Sequence, residues 1–451
     1  MKIKLRYLWE SMRSSIWFIP IVMVLLAIGL SLIMLAIDRN VSIRSYRFFE
    51  LLYSGDPEGA RSILSTIASS MITVAGVVFS ITMVVLTPAS SQFGPRLLRN
   101  FMDDRGNQIV LGTFIATFIY CLLILQNVKI EGEDIFTPTI SVSFAIALAT
   151  VNIGVLIYFI LHVSTSIQAD RIIANVSDEL EKNLQRLFPK LNEKQTEEKV
   201  KNGFEEKMGM FVRDLETQVL AKHSGYLRAI SENSLLDVAI KNNLCLFVQY
   251  HPGEFVMAGS SLVKIVGSKS LDDGIIERVA GSFILGVQRT PEQDPEFAIH
   301  RLVEVALRAL SPGINDPYTA ITCIDRLGSA LGYLMGRTFP SPYQYDDKGT
   351  LRLVTQPITF TGTINAAFGQ IRQYGQSSVA VTIRLLEVLC MLAGQTQNSE
   401  QRQAILRQAE MIERVSEKSM PEKFDREDVK DRYLDLFEVI NERQIERDPK
   451  I

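Results

Sequence analysis

The chain has 451 residues, 47 lysines and arginines against 50 aspartates and glutamates, and a formal net charge of −3. That near-balance argues against nucleic acid as a partner, and the length suits a membrane part plus about two soluble domains at roughly 150 residues each. Cys121, Cys245, Cys323 and Cys390 are far apart in sequence, and His162, His223, His251 and His300 form no close pair, so no metal site and no cofactor are expected.

Four uncharged apolar stretches fill the first third, at 15–37, 62–87, 109–126 and 139–162. As helices rising about 1.5 Å per residue, each is long enough to cross a hydrocarbon core of about 30 Å. The expected fold class is therefore a four-helix transmembrane domain (1–162), a helical extension and linker (163–215), a small α/β or barrel-like domain (216–290) and a helical domain (291–451). The last two make an α+β body in the cytosol.

Lys2, Lys4, Arg6 and Arg13 precede the first span, which reads as an uncleaved anchor because it is too long for a signal core. Arg96, Arg99 and Arg105 lie in the second loop, whereas the third carries Glu131, Glu133 and Asp134 against Lys129. This bias puts both chain ends in the cytoplasm. Arg39, Arg44, Arg47 and Arg61 of the first loop run against it, and Tyr46, Phe48, Phe49 and Tyr53 there suit a helix on the outer surface. The stretch 92–101, with Phe93, Leu97 and Phe101 beside Arg96 and Arg99, suits the inner surface.

In the second span Ser62, Thr66, Ser69, Thr73, Gly76 and Ser80 recur at spacings of four and three, forming one stripe. Ile67, Val74, Val78, Ile81 and Val85 are expected opposite. The stripe reads either as a seam for close helix packing or as a pore wall whose hydroxyls face water. No Asp, Glu, Lys or Arg lies deep in the spans, which disfavours an ion-coupled pump and permits a passive channel. Asn152 is the most polar mid-span side chain and is expected to bond a neighbouring helix.

The fourth span is expected to continue as helix to residue 187, followed by a polar linker at 192–207. Short β-like runs then dominate 217–288 (TQVLAK, GYLRAI, CLFVQY, SSLVKIV, SFILGVQ), with helices over 233–241 and 272–280. His251-Pro252-Gly253-Glu254-Phe255-Val256, with Gly259 and Leu262, reads as a hairpin. It resembles the turn of biotinyl and lipoyl domains but has no attachment-lysine motif, so carriage of a cofactor is not implied. Helices are expected over 297–310, 316–335, 361–374, 377–393, 400–418 and 421–443. In the first of these Ile299, Leu302, Val303, Ala306 and Leu310 share a face, and His300, Glu304 and Arg308 share another. Pro312 ends it, Gly313 is placed for a positive φ, and Asn315 or Asp316 caps the next helix, with Pro317 at its first position.

The run Arg308-Ala309-Leu310-Ser311-Pro312-Gly313-Ile314-Asn315-Asp316-Pro317-Tyr318-Thr319-Ala320 resembles the signature of the bacterial membrane family called domain of unknown function 2254. Ser91-Gln92 with Arg96-Leu97-Leu98-Arg99-Asn100-Phe101, Ser224-Gly225-Tyr226, and Arg289-Thr290 with Gln293-Asp294-Pro295-Glu296-Phe297 agree with it. The resemblance covers nearly the whole chain. It implies a membrane location and this fold, and it carries over no catalytic residue.

Arg289, Asp294, Glu296, His300, Glu304, Arg308, Asn315 and Asp316 are the candidates for a polar site near that turn, binding a small anionic ligand or joining subunits. The leading functional expectation is a homo-oligomer in the bacterial inner membrane, forming a passive ion pore lined by the second spans and gated by the cytosolic bodies. One alternative is a membrane-anchored enzyme acting on a lipid or envelope precursor, with His300 as acid or base oriented by Glu304 or Asp294. Another is a membrane-anchored sensor or scaffold.

Overall fold

The computed structural model describes residues 17–40, 56–93, 104–129, 136–166, 168–188, 217–267 and 272–447. The amino-terminal basic segment, the aromatic cluster at 46–53, the loop arginines Arg96 and Arg99, the acidic loop at 131–134 and the linker at 192–207 lie outside the described residues. The chain divides into two compact units, Met1–Arg171 and Ile172–Ile451.

In the first unit α1 (Phe18–Asn40), α2 (Pro57–Phe93), α3 (Arg105–Leu125) and α4 (Thr139–Ser166) are each long and apolar enough to cross a membrane. The outward faces of α1 and α4 carry Leu25, Leu26, Leu32 and Ile33, and Val151, Ile153, Ile157 and Leu161, all exposed. Surfaces of that kind suit hydrocarbon and not water. The third helix packs against the other three and is the most buried, 44% of its span against 22% or less for the others. Tyr120, Ile124, Leu64 and Val142 form one apolar cluster; Phe114, Phe159, Met71 and Val78 form a second.

Polar side chains tie the helices together. Asn152 Nδ2 donates to Thr117 Oγ1 at 2.8 Å, as the sequence led us to expect, and the Tyr120 hydroxyl donates to the Ser141 carbonyl at 3.1 Å. Helix starts leave backbone N–H groups without intrahelical acceptors, and lipid supplies none. Asp38 of α1 fills this role for α4, accepting the Ile140 and Ser141 N–H groups at 2.9 Å each. Asp104 caps α3 through the Gly106 N–H (2.7 Å), and its other oxygen meets His162 Nε2 of α4 at 2.8 Å. The His162 ring stacks on Tyr158. A β-carbon on Gly106 would stand 2.8 Å from His162 Nε2, so only glycine lets the two helices approach this closely.

In the second unit α5 (Ala169–Leu187) buries Ile173, Val176, Leu180 and Leu184, spaced three and four apart. The expected single helix through 187 is therefore corrected: helix ends at Ser166, Gln168 is not helical, and a separate amphipathic helix begins at Ala169. The Ser164 hydroxyl donates to the Ile160 carbonyl, and that of Thr165 to the carbonyls of Leu161 and His162.

The β-like runs form two sheets. One contains β1 (Thr217–Leu220), β3 (Cys245–Val248), β5 (Ser261–Val266), β7 (Tyr343–Tyr345) and β8 (Leu351–Val354) in the order β1-β5-β3-β8-β7. The other has β4 (Phe255–Val256), β2 (Gly225–Ile230) and β6 (Phe283–Gly286), in that order. With α6 (Glu232–Lys241) and α7 (Asp273–Ala280), they enclose Leu227, Leu235, Leu246, Val256, Val263, Val279 and Leu353. Each such side chain contributes roughly 1.5–3 kcal/mol by leaving water.

Two expectations change here. The stretch after residue 290 was expected to be helical, yet it supplies β7 and β8. Strand β8 pairs parallel with β3, Leu246 opposite Leu353, so the sheet crosses the expected boundary between small domain and helical domain. The segment 251–262 is not a simple hairpin either, since β4 pairs with β2 and not with β3. The Pro252-Gly253 turn carries the chain from one sheet to the other, with Gly253 at φ 102°.

Among the described residues six more helices follow: α8 (Pro295–Ala309), α9 (Pro317–Met335), α10 (Phe360–Tyr374), α11 (Val379–Ala393), α12 (Ser399–Ser419) and α13 (Lys423–Arg447). Asp294, Asp316, Thr359 and Asn398 cap four of them with side-chain oxygens. A cap of this type is worth about 1 kcal/mol. In the signature turn the positive φ falls on Asn315 (49°) and not on Gly313, which asparagine tolerates because its short side chain accommodates left-handed backbone.

The glycine at the His162 contact gives a direct test. Gly106→Val is expected to destabilise the membrane unit by about 1–3 kcal/mol through overpacking, read as an earlier thermal transition in detergent. An unchanged transition would show that the approach of α3 and α4 does not depend on it.

Candidate functional site

Two regions hold the residues singled out above. On α2 the whole stripe (Ser62, Thr66, Ser69, Thr73, Gly76, Ser80) faces away from the bundle and is exposed. The other side of the helix, with Leu64, Ala68, Met71, Ala75 and Val78, is buried. Of the apolar residues expected opposite the stripe, Val78 is buried and Ile67, Val74 and Val85 are half-buried, while Ile81 is exposed. The Thr66 and Thr73 hydroxyls donate to the carbonyls of Ser62 and Ser69, both at 2.8 Å. Their hydrogens are thus committed within the helix, and their lone pairs face outward as acceptors.

The second region lies in the body where α8 begins. Asp294 is 1% exposed. Its Oδ2 accepts from Arg289 Nε and Nη2, both at 2.7 Å, and its Oδ1 accepts the Phe297 N–H at 3.1 Å. One carboxylate therefore caps a helix and holds a guanidinium. Gly253 packs directly on this pair, and any β-carbon there would collide with Asp294 Oδ2. His300 Nδ1 lies 3.3 Å from Arg289 Nη1. Because a guanidinium only donates, that imidazole nitrogen is the acceptor and carries no proton.

His251 joins the cluster from the turn between the sheets. Its Nδ1 is 2.9 Å from the Pro252 carbonyl, which only accepts, so Nδ1 carries the proton. Its backbone N–H donates to Glu254 Oε2 at 2.7 Å, and Nε2 stands 3.7 Å from Glu254 Oε1. Burial pushes the Glu296 carboxyl above its ordinary range, and the charge of His251 pulls it part of the way back. Burial also raises Asp294, opposed by Arg289.

The eight candidates thus separate. Arg289, Asp294, Glu296 and His300 come together, and His251 and Glu254 join them unforeseen. Glu304 and Arg308 pair with each other along α8 at 3.4 Å. Asn315 and Asp316 shape the signature turn, where Asp316 Oδ1 accepts the Thr319 N–H at 3.1 Å. No spacing in the sequence links 251 to 289–300; the sheet crossing at Gly253 does so. Among the described residues, no group of three or more His, Cys, Asp or Glu is placed to hold a metal ion. A cavity of about 520 Å³ opens beside the cluster, with His251, Pro252 and Pro295 in its wall.

Fold and sites together define a four-span membrane protein carrying a mixed α+β body. The chain belongs to the family described as Predicted membrane protein (DUF2254), whose profile matches residues 13–391. It is similar to uncharacterized proteins of Mycobacterium bovis and Mycobacterium tuberculosis, 30% identical over 435 residues, covering 92% of this chain and 79% of each relative. No solved structure matches it.

The raised Glu296 carboxyl has a signed consequence. Its folded pKa lies above the ordinary 4.5, so the native state binds the proton more tightly than the unfolded chain. Ionising it above that range therefore costs stability, while below 4.5 both states are protonated and the cost vanishes. Glu296→Gln is expected to raise the melting temperature at neutral pH, with the gain fading as pH falls towards 4.5. A variant less stable than the parent at neutral pH would reverse the assignment.

Proposed function

We propose that the protein assembles as a homo-oligomer in the bacterial inner membrane, where its α2 helices surround a passive path for small ions. Both termini and the body lie on the cytoplasmic side in this reading. The observation that carries it is the outward face of α2. The outward faces of α1 and α4 present leucine, isoleucine and valine, whereas α2 presents six small or hydroxylated residues in one row beside exposed Ile72, Val77, Phe79 and Val84. Small residues let helices from neighbouring copies approach closely. Outward lone pairs replace part of a cation's hydration shell, and their acceptor character favours cations over anions.

The body supplies a means of control. A ligand that binds one arrangement of the assembled bodies better than another shifts the path between closed and open. His300 as a general base is not part of this reading, because its Nδ1 faces the Arg289 guanidinium and Asp294 is engaged by the same arginine.

Planar-bilayer recording of purified protein tests the proposal. The expected result is a cation-selective conductance that Thr73→Leu reduces tenfold or more, with folding intact because Thr73 is exposed. Silence of the wild type under all conditions, with Thr73→Leu equally inert, would reject it.

A further inference from the structure

The cavity beside the polar cluster lies where the end of α5, the start of α6, the His251-Pro252 turn and the segment 355–358 converge. At about 520 Å³ it falls within the size range of small-molecule sites, roughly 300–1,000 Å³. Phe188, Tyr250, Ile358 and four prolines provide apolar and aromatic wall. Glu232 provides the carboxylate, and among the described residues no lysine or arginine lines the space.

Charge decides what such a space accepts. The nearby guanidiniums are committed elsewhere: Arg186 donates to the carbonyls of Pro291 (3.1 Å) and Glu292 (2.9 Å), and Arg289 is held by Asp294. Glu232 opens α6, whose helix start carries the equivalent of about +0.5 charge, so the full carboxylate leaves the rim negative. Glu232 Oε2 accepts from Gln344 Nε2 at 2.7 Å, a neutral donor that orients the carboxylate without cancelling it. On the opposite wall His251 has its Nδ1–H tied to Pro252, with Glu254 beside its Nε2. An anion entering here meets the Glu232 carboxylate and, among the described residues of the wall, no lysine or arginine. An ammonium ion meets a carboxylate acceptor and an aromatic face.

We propose that this cavity binds a small organic cation with an apolar body, an aryl- or alkylammonium ion, its charged group against Glu232 and its body against Tyr250 and the prolines. The sign is opposite to the anionic ligand expected from the sequence. The site stands independently of conduction by α2.

Isothermal titration calorimetry on the purified full-length protein tests it with two matched pairs, tryptamine against indole-3-propionate and hexylamine against hexanoate. Each pair shares an apolar body and differs in the sign of its charge. Saturable binding of an amine is expected, at least tenfold tighter than its paired acid. Glu232→Gln is expected to weaken the amine at least tenfold and abolish the preference, with an unchanged thermal transition because Glu232 is exposed. Tyr250→Ala is expected to weaken amine binding, which ties it to this wall. Equal or tighter binding of the acids, failure of both amines to bind, or a preference that survives Glu232→Gln would overturn the proposal.

Discussion

The unsatisfied N–H groups at helix starts are the constraint on which this structure turns. A helix leaves its first amides without intrahelical partners, and neither lipid nor a packed interior offers water to fill the gap. Several aspartates answer it, and three of them also tie a second element. Asp38 of α1 caps α4, Asp104 caps α3 while holding His162 of α4, and Asp294 caps α8 while holding Arg289. A carboxylate has about four acceptor sites, so it can serve helix-start amides and still bind a second partner. The same chemistry thus pins the helices of the membrane unit and organises the polar cluster of the body.

These anchors leave the rest of the surface free to differ from helix to helix. The outward faces of α1 and α4 are aliphatic and suit lipid, whereas α2 turns a row of hydroxyls and a glycine outward beside exposed apolar residues such as Ile72, Val77 and Phe79. In the body, the cavity is walled by prolines and aromatics with a carboxylate at one side. In the proposed readings both places favour positive charge for one reason: their outward groups accept hydrogen bonds, and the arginines near the cavity are already paired.

Local pattern made much of this legible. The four spans, the helices flanking the signature turn, the strands over 217–286 and a cap at Asn315 or Asp316 follow from hydrophobic period, proline placement and capping chemistry. The stripe on α2 was readable as one face, and Asn152 as a link to another helix. The break before Ala169 was not, because no proline or glycine marks it. The positive φ at Asn315 was also misplaced, since glycine is the usual occupant and asparagine only a permitted one.

The sequence by itself determined the elements and their faces, because period, caps and apolar length are properties of neighbours along the chain. Only the tertiary structure decided that β8 joins β3 across a hundred residues, that Gly253 carries His251 to the Arg289–Asp294 pair, and that the hydroxyl face of α2 points out of the bundle. Each of these depends on which surfaces meet in space. Strand pairing and close approach are set by burial and by the satisfaction of backbone polar groups across the fold, and neither leaves a fixed spacing in the chain.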